Sequence, residues 1–273
     1  MTEHTHPRPE FPIRPGLTLW FGSALLLWVI YRITLFLCGE ASLAMHLAAT
    51  MPAQYMLCVC IHDGVHGVLT RSRAVNQFAS VLLAMGVLLP FPLLQRAHLF
   101  HHRHVDDPED PEHIVYSSSL PRLLFNLPMI PWYYLKTLRL LSTKERVQVA
   151  LIVVTLITLS GWIAWSWSAT TLFTAWLLPS LLTIAWFGFT TVYIPHSSHQ
   201  RFFMRFFTEH SGWHHDHHRA PQYPFNQYIQ LRDFHLRHDI FEPRGPEASI
   251  IRRLASKPWA EQVGEARDDE QTP

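Results

Sequence analysis

The chain has 273 residues, 48% of them hydrophobic and only 16% charged, where a soluble domain carries about 25% charged residues. A formal net charge of +1 leaves no basic surface of the kind a nucleic-acid partner needs. The three cysteines, Cys38, Cys58 and Cys60, make neither a disulfide framework nor a CxxC metal site, and their place in or beside apolar runs predicts buried structural thiols.

The mean hydropathy of +0.06 averages strongly apolar blocks with polar, His-rich and Pro-rich ones. Residues 1–16 are polar and rich in Pro, and read as a disordered cytosolic arm. Leu17 to Cys38 is long enough to cross a bilayer, which takes about 20 residues. A cleaved signal peptide is the rival reading; the Pro-containing lead with Glu3 and Glu10, and the length of the run, argue against it. Arg32 lies inside the run and is expected to snorkel or to pair with Glu40. After a short turn, Leu43 to Ile61 forms a second span, softened at Met51-Pro52, and runs directly into His62-Asp63-Gly64-Val65-His66.

The apolar run Ala74 to Leu94 poses a topological problem. It is followed by a second histidine box, His98-Leu99-Phe100-His101-His102. A full crossing would put the two boxes on opposite faces of the membrane, where they could not share metals. Pro90 and Pro92 point instead to a broken, re-entrant or interfacial segment. Next comes an acidic, Pro-punctuated loop from Val105 to His113, which reads mostly as a solvated charge run, with one or two carboxylates free to accept from the far nitrogen of a ligating His. Residues 120–141 mix Pro121, Pro128 and Pro131 with Trp132, Tyr133 and Tyr134 and suit a helix lying in the interface. Val147 to Trp167 is the third span and Leu172 to Ile194 the fourth, with Trp162, Trp165 and Trp167 as an aromatic belt at the far interface. Pro195-His196-Ser197-Ser198-His199 follows at once, and the third box, His214-His215-Asp216-His217-His218, lies just beyond.

The expected fold is an all-α integral membrane protein with about four transmembrane helices, a histidine-rich di-metal cap and interfacial helices. Residues 17–240 make the membrane domain, and 241–273 a polar cytosolic tail. In this layout Arg32 alone of the 22 Lys and Arg falls outside the predicted cytosolic parts. The positive-inside rule then puts the boxes and both termini on the cytosolic face.

Imidazole is the commonest metal-ligating side chain, and helix positions i, i+3 and i+4 share a face. His62 and His66, then His98, His101 and His102, then His214, His217 and His218 therefore offer eight imidazoles from three segments. One tetrahedral zinc takes four ligands, so two metal ions sharing a cage is the economical reading. A lone His pair in a polar loop is usually only solvated, and His4 and His6 need be no more than that. Imidazole suits iron, zinc, copper and nickel, and spacing alone does not choose among them. A multi-histidine dinuclear centre beside a membrane, without a nucleophile triad, suits oxygen activation and attack on an unactivated C–H bond.

The ordered boxes HDGVH, HLFHH and HHDHH resemble those of the membrane fatty acid desaturase superfamily, which also contains carotenoid ketolases and hydroxylases. The resemblance covers roughly residues 40 to 230. It implies a non-haem di-iron enzyme that uses two iron ions, O2 as co-substrate and two electrons from a separate ferredoxin- or cytochrome-type donor with its reductase. Carried over box by box, it implies metal ligands at His62, His66, His98, His101, His102, His214, His217 and His218, plus one more between the fourth span and the third box. His196, at the membrane boundary, is the first choice, ahead of His199 and His210. His104 and His215 are extra to the minimal boxes, with His215 the alternative to His214. Asp63 is expected to orient a neighbouring His, and His113, His235 and His238 to play no part.

A lipid is the implied substrate, acyl chain or carotenoid. The short chain, Ile194-Pro195-His196 and the run from His98 through Pro108 to His113 are similar to ketolases. Ser197-Ser198-His199 replaces their Arg-Pro, however, and Phe225-Asn226 stands near the place of their paired Trp. Acyl-lipid desaturation is placed ahead, with ketolation or hydroxylation the close rival. A metal transporter or buffer is the competing class, but it should hold polar ligands at mid-membrane, and the predicted spans contain only His46. A zinc hydrolase would need fewer histidines and an open zinc position. Arg201, Arg205 and Arg219 suit either an acidic donor protein or anionic lipid.

Overall fold

The computed structural model describes residues 12–105, 107–196, 217–218 and 220–237. Among these there is no strand, and four helices are long and apolar enough to cross a membrane: α1 (Leu17–Leu37), α2 (Leu43–Val65), α8 (Thr143–Ser166) and a fourth span, Ala169–His196. The chain turns between α1 and α2 at Gly39, whose φ of 77° suits a residue without Cβ. Ser42 caps α2 by accepting from the Met45 N–H. A capping box of Ser142 and Glu145 opens α8, and Glu145 also pairs with Arg96 at 2.7 Å.

Proline interrupts three backbone ladders, and a side chain makes good one of the losses. Pro52 takes the donor from the Ala48 carbonyl of α2, four residues back; Trp28 Nε1 of α1 donates to the neighbouring Ala49 carbonyl at 3.1 Å. Pro179 leaves the carbonyl of Ala175, four residues back, without its helical partner. Buried His46 lies 2.9 Å from that oxygen through Nε2 and donates to it. Pro195 does the same to Thr191. The fourth span widens into π-helical turns at Phe173–Leu177 and Phe189–Tyr193, the second directly ahead of His196. His46 is therefore a structural donor on the side of the bundle away from the boxes.

The run after the first box is a helical hairpin. α3 (Arg73–Met85) and α4 (Phe91–His101) are joined through Gly86 and Leu88, the latter at φ 61°. The 13 residues of α3 reach only about 20 Å, short of the ~30 Å hydrocarbon core. The chain thus enters, turns and comes back, bringing the second box to the first, as the paired prolines predict. The turn lies deep in the bundle, where an unpaired carbonyl is costly. The Gly86 carbonyl accepts from Gln54 Nε2 at 3.0 Å and from Trp176 Nε1 at 3.3 Å. Gln54 also donates to Ser180 at 2.9 Å and accepts from Thr183 at 3.3 Å. The hairpin tip is thereby fastened to α2 and to the fourth span.

At the mouth of the hairpin, Gly64 inside the first box lets α3 approach. A Cβ there would run into Ser80 Oγ, and the Gly64 carbonyl accepts from buried Asn76 at 2.8 Å. The core between these helices is filled by Leu57, Ile61, Leu69, Leu83, Phe91 and Tyr193. The expected interfacial helix over 120–141 is a series of short pieces, because Pro121, Pro128 and Pro131 break it into α6 (Leu120–Asn126), α7 (Ile130–Tyr133) and intervening 3-10 turns. Its Leu124, Phe125 and Trp132 are 75%, 77% and 65% exposed, a surface that water disfavours and lipid suits.

Two local expectations are corrected. Arg32 reaches the Met45 carbonyl at 3.2 Å and lies 6.0 Å from the Trp28 ring instead of pairing with Glu40. Cys38 is exposed at the end of α1, unlike buried Cys58 and Cys60, since the turn at Gly39 carries it past the packed part of the helix.

Candidate metal centre

The boxes converge at one end of the bundle. His62 closes the last turn of α2 and His66 is its C-cap; His98 and His101 end α4, with His102 its C-cap. His196 ends the fourth span, and His217 and His218 come in from the segment beyond. Their ring nitrogens fall into two sets. His62, His66, His98, His102 and His217 form one and His101, His196 and His218 the other, with all donor atoms of a set within 4.8 Å of one another. Facing nitrogens stand 2.9 Å apart between His98 and His102, 3.0 Å between His102 and His217, and 3.2 Å between His101 and His196.

This division corrects a simple one-face reading of each box. On a helix, residues one apart diverge by about 100°. His98 and His102, four apart, aim at one set while His101 aims at the other. His217 and His218, adjacent in sequence, part in the same way, with ring centroids 5.9 Å apart. The second and third segments therefore straddle the two sets, and the first serves one.

Buried acids of the loop after α4 orient the rings. His101 Nδ1 donates to Asp110 at 2.7 Å, and the same carboxylate accepts from Tyr116 OH at 3.0 Å and from the Glu112 N–H at 2.9 Å. Glu112 accepts from Tyr134 OH at 3.0 Å and lies 3.6 Å from His98 Nδ1 and 3.7 Å from His101 Nδ1. It sits between the sets. An acceptor on Nδ1 fixes the tautomer that leaves the Nε2 lone pair inward. His217 Nδ1 lies 2.9 Å from Tyr228 OH and, with Nε2 inward, donates to it. Glu109 of the same loop behaves as a solvated charge, paired with exposed Arg139.

Burial, reinforced by neighbouring imidazoles, holds His66, His98, His217 and His218 far below the ordinary histidine range and lowers His102 to about 4. The rings are neutral near pH 7, the state in which imidazole binds metal. Burial likewise raises Tyr134 and Tyr228, helped by Glu112 and Asp63 respectively, so both stay protonated.

The donor set fits a metal. His66 Nε2 is buried with no hydrogen-bond partner among the described residues, inside a ring of five imidazoles. Five nitrogen donors exceed what tetrahedral zinc takes and suit a transition metal of higher coordination number. Iron is among the metals imidazole serves.

Asp63 corrects an expectation: it orients no histidine. Its carboxylate accepts from Thr18 OH at 3.0 Å and from the Phe225 N–H at 3.1 and 3.0 Å. The reason is helix phase: Asp63 follows His62 by one residue and points about 100° away, toward α1. It ties the entry of α1 to the segment that follows the third box. His104 stacks on Phe100 in the open, and His113 lies against Tyr116; neither is in a set, and nor is buried His235. His199, His210, His214, His215 and His238, with Arg201, Arg205 and Arg219, lie outside the described residues.

A cavity of about 450 Å³ opens on the five-histidine set at His62, His98 and His217 and runs between α2 and the fourth span. Val59, Leu89, Ile130 and Ile184 are among its walls, and Tyr55 stands at depth, about 10 Å from His62 along α2 at 1.5 Å per residue. Asp110, Glu112, Tyr116, Tyr134 and Tyr228 were not individually readable as site residues; the Asp110-Pro111-Glu112 punctuation is the nearest signal, and Tyr228 has none.

Comparison with known proteins accords with this geometry. The family model described as fatty acid desaturase matches residues 40–246. No curated protein and no solved structure matches the chain. The matched stretch takes in three of the four spans and every histidine of both sets, and the chain belongs to the fatty acid desaturase family.

Proposed function

We propose that this membrane oxidoreductase attacks C–H bonds of a lipid using O2 and two iron ions, and that its substrate is a fatty acyl chain, which it desaturates. His62, His66, His98, His102 and His217 would hold one iron, and His101, His196 and His218 the other, with His214 assigned by the resemblance of its box. The irons supply the oxidising power that an unactivated C–H bond demands. Desaturation removes two hydrogens from the chain and, with O2, two electrons and two protons, yields a double bond and two waters. The electrons come from a separate ferredoxin- or cytochrome-type protein, and the boxes face the cytosol.

The observation that carries this reading is the cavity, apolar through most of its wall and meeting the histidines at one end. Its volume falls within the range of ligand sites, about 300–1,000 Å³. The protein's own part is to hold the chain there, keep water away and aim one carbon at the cage. The run Ile194-Pro195-His196 and the second-box pattern favour a second reading, oxidation of a carotenoid ring. Metal transport is disfavoured because the one histidine well inside a span, His46, is engaged with the Ala175 carbonyl.

The test is product analysis in a host that makes both acyl lipids and carotenoids. Acyl chains two mass units lighter support desaturation. Carotenoids that gain oxygen support the second reading. An unchanged lipid profile, with iron bound and reductant supplied, contradicts both.

A further inference from the structure

The wall of the cavity carries one polar atom that no described residue matches. Asn226 lines the cavity, and its Oδ1 is buried with no partner among the described residues. Four other polar groups of the lining have partners. Tyr55 OH meets Thr190 at 2.9 Å, Thr191 donates to the Phe187 carbonyl at 2.6 Å, Tyr134 donates to Glu112, and Tyr228 meets His217. Asn226 is held in place from both sides. Phe225 before it gives its N–H to Asp63, next to His62, and Tyr228 after it reaches His217. Gln227 is clamped in turn by the Arg14 N–H at 2.7 Å and by the Pro12 carbonyl at 2.9 Å. The carboxamide thus stands on a fixed turn, two residues before the Tyr228 that meets His217, on the wall of the cavity that reaches the five-histidine set.

Burying a carbonyl without a donor is costly, and the position lies where a substrate would approach the metals. We propose that Asn226 orients the substrate by accepting a hydrogen bond from a hydroxyl that the lipid carries close to the oxidised carbon. The substrate is then a hydroxylated lipid, not a plain hydrocarbon chain. A hydroxyl fits better than an amide, because an amide brings a carbonyl that needs a donor of its own within these apolar walls. The inference rests on the lipid-oxidising reading and narrows it.

The test is equilibrium binding to the purified, iron-loaded full chain in lipid nanodiscs. Four probes are used: octadecanoic acid and its 12-hydroxy counterpart, and β-carotene and its 3-hydroxylated counterpart. The hydroxylated member of one pair should bind roughly tenfold tighter, the worth of one net hydrogen bond. Asn226→Leu, similar in volume but without an acceptor, should lose that preference with iron content unchanged. Asn226→Asp, which keeps an oxygen, should retain it. Equal binding within the pair that binds, or a preference that survives in Asn226→Leu, overturns the assignment and leaves the lipid reading standing. Failure of all four probes to bind overturns both.

Discussion

Asp110 makes the division of the cage testable. Its carboxylate fills three roles at once: one oxygen accepts from His101 Nδ1 at 2.7 Å and from Tyr116 OH at 3.0 Å, while the other accepts from the Glu112 N–H at 2.9 Å. Asp110→Asn keeps the shape but turns one oxygen into NH2. Facing His101 and Tyr116, the new amide opposes two donors. Facing Glu112, it opposes the backbone N–H and leaves a neutral acceptor for His101. Replacing a charge-assisted bond by a neutral one forfeits roughly half its worth, about 1–2 kcal/mol. That corresponds to roughly five- to thirty-fold in metal affinity, in line with the usual effect of losing a ligand's hydrogen-bonding partner. Because His101 belongs to the three-histidine set, the loss should fall on one metal. Chelator competition on the purified variant should show one ion held as in the parent and one released at about tenfold lower chelator. Two metals held as tightly as before, or both weakened alike, would refute the assignment of Asp110 to one set.

Gln54→Leu should take one of two side-chain donors from the Gly86 carbonyl, leaving it Trp176, and strand the Thr183 hydroxyl in the bundle, lowering stability by about 1–3 kcal/mol, read as a lower midpoint of thermal unfolding; an unchanged midpoint would mean that the hairpin tip is held otherwise. In the metal-free protein, the folded state holds His102 at about 4, below the ordinary 6.5. The unfolded chain then binds protons first, so stability is expected to fall as pH drops below 6.5 towards 4, and bound metal to oppose the fall; stability that rises on acidification would contradict the neutral cage. A cysteine at exposed Ser117, on the box side, should label from the cytosol. Native Cys38, exposed at the opposite end of α1, should label from outside; the reverse pattern would invert the proposed orientation.

The sequence made legible what depends on local periodicity. The spans, the helical hairpin and the meeting of three boxes follow from apolar run lengths, Pro90 and Pro92, and i, i+4 spacing. The phase of each helix against its neighbours was not legible. Nothing within His98-Leu99-Phe100-His101-His102 says that His101 serves a different set from its neighbours, because that depends on where His196 and His218 arrive. Asp63 turned out to be a tie to Thr18 and Phe225, a contact across 45 and 162 residues. Within one acidic loop, Asp110 and Glu112 turn inward and Glu109 outward, a choice made by the turn and by Tyr116 and Tyr134. Gln54 in an apolar span gave no hint of the carbonyl it serves at Gly86.

The most direct measurement is the metal content of the purified chain, compared with His66→Ala and His196→Ala. Each variant removes a donor from a different set. Two irons per chain are expected in the parent, with His66→Ala and His196→Ala each weakening one of them and leaving the other bound. A single metal in the parent, zinc in place of iron, or the loss of both irons from either variant alone would contradict a cage of two separable iron sites.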